Sequence, residues 1–220
     1  MKQLTLDIRL DAPPTLDNYF AGDNAALVAA LKATAEGRGM GHLYLWGAPA
    51  AGRSHLLRAT CALAGNSRYI GADAVAEPLP DTPALLAIDD VHRLDDAAAI
   101  ALFNAFNRAR TNGQTLLLAG DAPPMGLTLR EDLRTRIGQC LGFEIQPLTD
   151  TARSAILSAL ATQRGLRLDG EVVSYLMRHG RRDMPSLLAT LEALDRASFE
   201  RKRAITLPLL REMMQAGLAI

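Results

Sequence analysis

Apolar positions follow two rhythms along the chain, and the rhythm changes near Pro147. From Ala25 to Ala35, Leu27, Val28 and Leu31 fall at helical spacing, and Gly37 and Gly39 end the run. His42-Leu43-Tyr44-Leu45-Trp46 is a short apolar run entering a glycine turn, which predicts a buried strand. Residues 54–64 return to helical character. Pro83 to Asp90 reads as another strand, ending in acids, followed by a helix from about Asp95 to Ala109. Thr115 to Ala119 is a third strand and Leu141 to Ile145 a fourth. Strands alternating with helices predict a mostly parallel, three-layer α/β sheet. Beyond Pro147 the pattern is wholly helical. Thr149 starts one helix, Asp169 caps a second, Asp183 to Arg203 make a third, and Thr206-Leu207-Pro208 opens a last one. At the other end, Ala12-Pro13-Pro14 is a stiff extended break. The expected organisation is a tail over 1–12, an α/β domain over 13–148 and a helical domain over 149–220.

Composition narrows the class. The 220 residues are 49% hydrophobic and 22% charged, which supports a sizeable core and excludes collagenous or disordered chains. Cys61 and Cys140 lie outside any CxxC pattern and read as buried thiols. The longest stretch free of charge, Gly39 to Gly52, has 14 residues with four glycines and a proline, too short and broken to cross a bilayer. Lys2, Asp7, Arg9 and Asp11 interrupt any signal-like run, so a cytoplasmic protein is expected. The formal net charge is zero, which gives no general drive toward DNA phosphates. That balance is uneven, because residues 151–220 carry 11 basic and 7 acidic side chains.

Several constellations carry candidate chemistry. Gly47-Ala48-Pro49-Ala50-Ala51-Gly52-Arg53-Ser54 joins a strand to a helix. A phosphate-binding loop needs glycines that let backbone N–H groups turn inward, a cation, and a hydroxyl for Mg²⁺; that spacing is met, with Arg53 in the place usually held by lysine. A plain strand-to-helix turn is the bland alternative. Asp89 and Asp90 end an apolar strand, where carboxylates hold Mg²⁺ or polarise water; a pair of helix-start caps would look similar. Asp121 ends the third strand. Arg134 and Arg136 share a short helix, ordinarily a solvated face, and Arg181 and Arg182 precede Asp183 as though opening the long helix against its dipole. In the tail, Leu4, Leu6 and Ile8 alternate with polar residues after Gln3, which fits either an edge strand or a linear motif docking in a partner's groove. The histidines, His42, His55, His92 and His179, fall in no zinc spacing and read as structural.

Taken together, these residues resemble the AAA+ branch of the bacterial replication initiator DnaA, most closely the short Hda type within it. GAPAAGRSHLL (Gly47 to Leu57), GDAPP (Gly120 to Pro124), DLRTRI (Asp132 to Ile137) and TLEALDRAS (Thr190 to Ser198) carry the likeness, which runs over nearly the whole chain. It implies a three-layer P-loop AAA+ domain with a parallel five-stranded sheet, followed by a small all-helical lid. Gly47, Gly52, Arg53 and Ser54 match the Walker A loop, with His55 following it, and Asp89 and Asp90 match Walker B. Ser54 and Asp89 are the implied Mg²⁺ ligands. Asp121 resembles the sensor-1 residue, Arg182 the lid's sensor-2 arginine, and Arg136 the arginine finger that reaches a neighbour's nucleotide. LDNYFAGDN (Leu16 to Asn24) is similar to the adenine- and ribose-contacting segment, which implicates Asp17, Asn18 and Tyr19. Gln3, Leu4, Leu6 and Ile8 resemble the family's sliding-clamp-binding motif.

The resemblance implies a chain that binds ADP or ATP with Mg²⁺ and docks on the DNA-loaded clamp of DNA polymerase III. It would stimulate hydrolysis of DnaA-bound ATP and so prevent re-initiation of replication. DNA would be met only through the clamp and no membrane is involved; homo-oligomerisation is left open. The implied role predicts a chain without the initiator's DNA-binding domain. Arg53 keeps the positive charge of the Walker lysine but is bulkier and fork-shaped, so binding is expected to survive better than autonomous turnover. The alternatives are a free-standing ATPase of the helicase-loader kind, which the Asp89–Asp90 pair permits and Arg53 opposes, and a binding module with a dead pocket. Pro185 fits only a first helical turn, which places the start of the lid helix close to Asp183.

Overall fold

The computed structural model describes residues 13–82, 84–181 and 183–216. They fall into two compact units, 13–147 and 148–216. The tail residues Gln3, Leu4, Leu6 and Ile8, and Arg182, lie outside the described residues.

In the first unit, a five-stranded sheet is built from β1 (Leu43–Trp46), β2 (Ser67–Gly71), β3 (Leu85–Asp89), β4 (Thr115–Gly120) and β5 (Leu141–Glu144). Every neighbouring pair is parallel, and the order across the sheet is β2-β3-β4-β1-β5. The chain leaves β1 for the far edge, returns through β3 and β4, and crosses β1 to reach β5. Strands β1, β3 and β4 are almost continuously apolar because helices cover both faces. One face buries Leu86, Ile88, Leu116 and Leu118 against α3 (Asp96–Asn112) and α4 (Glu131–Gly138), through Leu102, Phe106, Leu133 and Ile137. The other buries Leu43, Leu45, Ala87 and Leu117 against α1 (Ala25–Ala35) and α2 (Arg53–Ala64), through Leu27, Leu31, Leu56 and Leu57. Three layers result, as the alternation predicts.

The strand that escapes the periodicity, β2, has a physical reason for doing so: only Ile70 is buried in it, Arg68 is exposed at the sheet edge, and the half-buried Ser67 donates its hydroxyl to the Cys61 carbonyl at 2.6 Å. The buried carboxamide of Asn24 sits before α1 and behaves as an added rung of the sheet. Its Nδ2 donates to the Gln146 carbonyl at 2.8 Å, and its Oδ1 accepts from the Gln146 amide at 2.7 Å.

The second unit contains α5 (Asp150–Gln163), α6 (Gly170–His179), α7 (Met184–Arg201) and α8 (Leu207–Gln215). Val172, Leu176, Leu194, Leu209 and Leu210 form one buried cluster, and Leu157, Leu187 and Leu191 belong to another. Thr149 caps α5 through its hydroxyl, which accepts from the Ala152 amide at 3.1 Å. Asp169 stands at the α6 N-cap, but its main-chain carbonyl rather than its carboxylate accepts, from Val172. Asp183 is the N-cap of α7 and accepts from the Ser186 amide at 2.9 Å, which puts Pro185 in the first turn. Arg181 therefore lies ahead of the helix rather than in its first turn, and its Nε donates to Asp183 at 3.1 Å. The helix also ends earlier than the pattern predicts, at Arg201, where Lys202 turns left-handed. Among the described residues no helix is long and apolar enough to cross a membrane, and both cysteines are free thiols.

Candidate functional site

In parallel sheets of this kind, ligands bind beyond the carboxyl ends of the strands. Here the ends of β3, β4 and β1, neighbours in the sheet, deliver Asp89, Asp121 and Gly47 to one edge. Gly47 is buried, and a Cβ at that position would stand 3.1 Å from Ile145 Cβ, so a side chain has little room. Two residues of the following loop take positive φ, Ala50 at 62° and Gly52 at 97°. Left-handed residues interspersed in a turn swing successive N–H groups to one side, and the free N–H groups of the α2 N-terminus continue that array. Such a concavity, electropositive from backbone alone, favours anionic oxygen.

Tyr19 lies directly on this loop. A Cβ at Gly52 would come within 2.8 Å of its ring, and its hydroxyl donates to the Ala51 carbonyl at 3.5 Å. The His55 ring is centred 5.8 Å from the Tyr19 ring, and His55 Nε2 is 3.0 Å from the Thr15 carbonyl. Asn18 is occupied by its own turn: Oδ1 accepts from the Thr15 amide at 2.9 Å and Nδ2 donates to the Pro13 carbonyl at 3.1 Å. Asp17 is exposed and pairs with Lys32 at 3.0 Å. Of the residues expected to meet an adenine or ribose, the fold brings Tyr19 to the loop, beside His55, and uses Asn18 and Asp17 elsewhere.

Arg53, the first residue of α2, is 13% exposed at its side chain. Its Nη1 donates to the Gly47 carbonyl at 3.2 Å and its Nη2 to Asp90 Oδ1 at 3.3 Å. Asp90 itself adopts a left-handed φ of 51° and has Arg93 at 3.9 Å from its other oxygen. Asp89 is 2% exposed. Its Oδ2 accepts from the Tyr69 hydroxyl at 2.7 Å, and its Oδ1 from the Asp90 amide at 2.9 Å. Ser54, the implied partner of Asp89 on a cation, is exposed in the first turn of α2. Asp121 is half-exposed, with His92 Nδ1 at 3.7 Å from its Oδ1; that nitrogen is buried with no hydrogen-bond partner. Tyr44, whose hydroxyl donates to the Ala122 carbonyl at 2.5 Å, senses both charges. Burial drives its ionisation upward, Asp121 adds to the rise and Arg53 opposes it.

Arg136 projects from α4 toward α3. Its Nη2 donates to Asn107 Oδ1 at 3.2 Å, and its guanidinium lies 5.8 Å from the Phe103 ring centre. A guanidinium carries five N–H donors, so this anchoring leaves the planar fork capable of further contacts. Sequence periodicity gives no sign of Tyr69 or Arg58, whose guanidinium stacks 4.2 Å from the Tyr69 ring centre. The readable signal is the alternation of Tyr69-Ile70-Gly71, which places Tyr69 and Gly71 on one face.

Glycines that a Cβ would overfill, an aromatic ring laid on the loop and a partly buried guanidinium at its base suit a phosphorylated ligand bearing an aromatic base. Residues 150–214 match the family model for the lid domain of Hda. Solved structures share the fold. Domain III of the replication initiation protein DnaA from Thermotoga maritima matches at a TM-score of 0.76 and 19% identity, over 96% of this chain and 99% of that one. AMPPCP-bound DnaA from Aquifex aeolicus matches at 0.74 and 23%, over 87% of this chain and 68% of that one. A structure described as a DNA replication initiation factor matches at 0.70 and 23%, over 85% of this chain. The present chain spans only 65% of that factor's length.

Proposed function

We propose that this chain, an Hda-like AAA+ protein related to the replication initiator DnaA, is a nucleotide-bound regulator that acts on DnaA. The match of residues 150–214 to the Hda lid domain carries this reading. The glycine loop, Tyr19 and Arg53 support ADP or ATP as the bound nucleotide, and the Aquifex DnaA structure with AMPPCP is similar in this respect. The tail residues Gln3, Leu4, Leu6 and Ile8 dock on the DNA-loaded sliding clamp, which holds the protein near its target. Tethering at the clamp raises the local concentration to roughly millimolar. Arg136 then enters the nucleotide site of a neighbouring DnaA as an arginine finger. It neutralises charge that builds on the transferred phosphoryl group, and DnaA returns to its ADP form.

The anchoring of Arg136 to Asn107 supports this role, because it holds the guanidinium at the helix surface without consuming its fork. An arginine finger contributes about 10³–10⁵ in rate, or about 4–7 kcal/mol of barrier. The test is hydrolysis of DnaA-bound ATP with clamp and primed DNA, with and without this chain. Arg136→Ala should abolish the stimulation while leaving ADP affinity within about twofold, a change under about 0.5 kcal/mol. Full stimulation by the variant would refute the assignment. Autonomous ATP turnover is disfavoured by the engagement of Asp90 with Arg53 and of Asp89 with Tyr69.

A further inference from the structure

The two acids that end β3 are each held by a donor of this chain. Tyr69 pairs in register with Ala87 and Gly71 with Asp89, so Tyr69 and Asp89 project on the same face of the sheet two residues out of step. The Tyr69 hydroxyl reaches forward to Asp89 Oδ2, and Arg58 stacked on the ring fixes its direction. The other oxygen is taken by the Asp90 amide. Asp90 in turn faces Arg53 through one oxygen and Arg93 through the other. Mg²⁺ demands near-octahedral oxygen ligation, sheds water reluctantly and is ordinarily bound by one or two carboxylates besides phosphate. Recruiting Asp89 here means sharing or displacing a hydroxyl around a carboxylate that is 2% exposed. Recruiting Asp90 means breaking its pair with Arg53. The same loop already contains a permanent positive charge, on a fork suited to phosphate oxygens.

We infer that this site holds its nucleoside diphosphate without a divalent cation, Arg53 supplying the positive charge and Tyr69 keeping Asp89 from serving as a metal ligand. The inference rests on the nucleotide-bound reading above and deepens it. On binding, the Arg53 fork exchanges its ion pair with Asp90 for the terminal phosphate. Tyr69 acts as a positioning residue: it touches no ligand and sets the availability of Asp89. Tyr69→Phe keeps the ring and its Arg58 contact while removing the donor.

The experiment titrates the full chain with a fluorescent ADP analogue, and with unlabelled ADP as competitor, in EDTA and in millimolar Mg²⁺. Wild-type affinities in the two buffers should agree within about twofold. In Tyr69→Phe the EDTA affinity should stay at the wild-type value while Mg²⁺ tightens binding roughly tenfold, on the order of one charge-assisted hydrogen bond. A general loss of structure would move both buffers alike and lower the melting temperature. A wild-type loss of tenfold or more in EDTA overturns the inference and leaves the nucleotide-bound reading standing. No binding in either buffer overturns both.

Discussion

Replacing Gly52 by alanine tests the architecture of the loop at its tightest point. Gly52 has φ of 97°, and an added Cβ would lie 2.8 Å from Tyr19 Cε2. A left-handed backbone costs an L-residue about 1–2 kcal/mol, and forcing a methyl into a packed contact typically costs about 1–3 more. The ring can swing aside only by giving up its contacts with Ala51 and His55, so the expected total is about 2–5 kcal/mol. The single tryptophan, Trp46, ends β1 immediately before Gly47, so its fluorescence during urea unfolding reports on the α/β unit alone. The decisive comparison repeats Gly52→Ala in a Tyr19→Ala background. There the steric part disappears and only the backbone part remains, about 1–2 kcal/mol. Equal costs in the two backgrounds would show that Tyr19 does not rest on the loop. A cost below about 0.5 kcal/mol in the parent would show that the left-handed turn is not required.

Two further substitutions probe the scaffold. Asn24→Ala removes both hydrogen bonds to the Gln146 main chain; because Gln146 is itself exposed and water can replace part of the loss, the expected destabilisation is about 1–2 kcal/mol by the same fluorescence measurement. Asp183→Ala uncaps α7 and should cost about 0.5–2 kcal/mol, read by far-ultraviolet circular dichroism. Burial pushes the Asp183 carboxyl upward, but the Ser186 hydrogen bonds and Arg181 outweigh it and hold the group below the ordinary 3.8. A depressed carboxyl stabilises the fold above that ordinary value and loses its effect as pH falls through the lower folded one. The gap between wild type and Asp183→Ala should therefore be full at pH 7 and close progressively below about pH 4; a gap independent of pH would contradict the cap.

Local pattern carried far along this chain where burial is two-sided. Strands β3 and β4 are legible because helices on both faces demand apolar side chains at nearly every position. The edge strand β2 is not, since only Ile70 is buried and its extended form comes from pairing with β3. The glycine loop and the paired acids stand out as contiguous motifs. Their partners do not: Tyr69 reaches Asp89 across 20 residues, and Arg53 reaches Asp90 across 37. Such ties depend on strand register, which no short window of sequence contains. The arginines before α7 show the converse error. They look like charges opposing the helix dipole until Asp183 is identified as the cap, which leaves Arg181 outside the helix as its counter-ion.

The carboxamide of Asn24 has a mechanical consequence. Gln146 is the last residue but one before the second unit begins, and its amide and carbonyl are both fastened to a residue 122 positions earlier. Tension along the main chain from residue 147 onward therefore meets these two hydrogen bonds before it reaches the β5 ladder. Five residues upstream of the fastening stands Tyr19, whose ring covers the glycine loop. Main-chain tension at Gln146 thus passes through two hydrogen bonds of one asparagine into the stretch of chain that holds Tyr19.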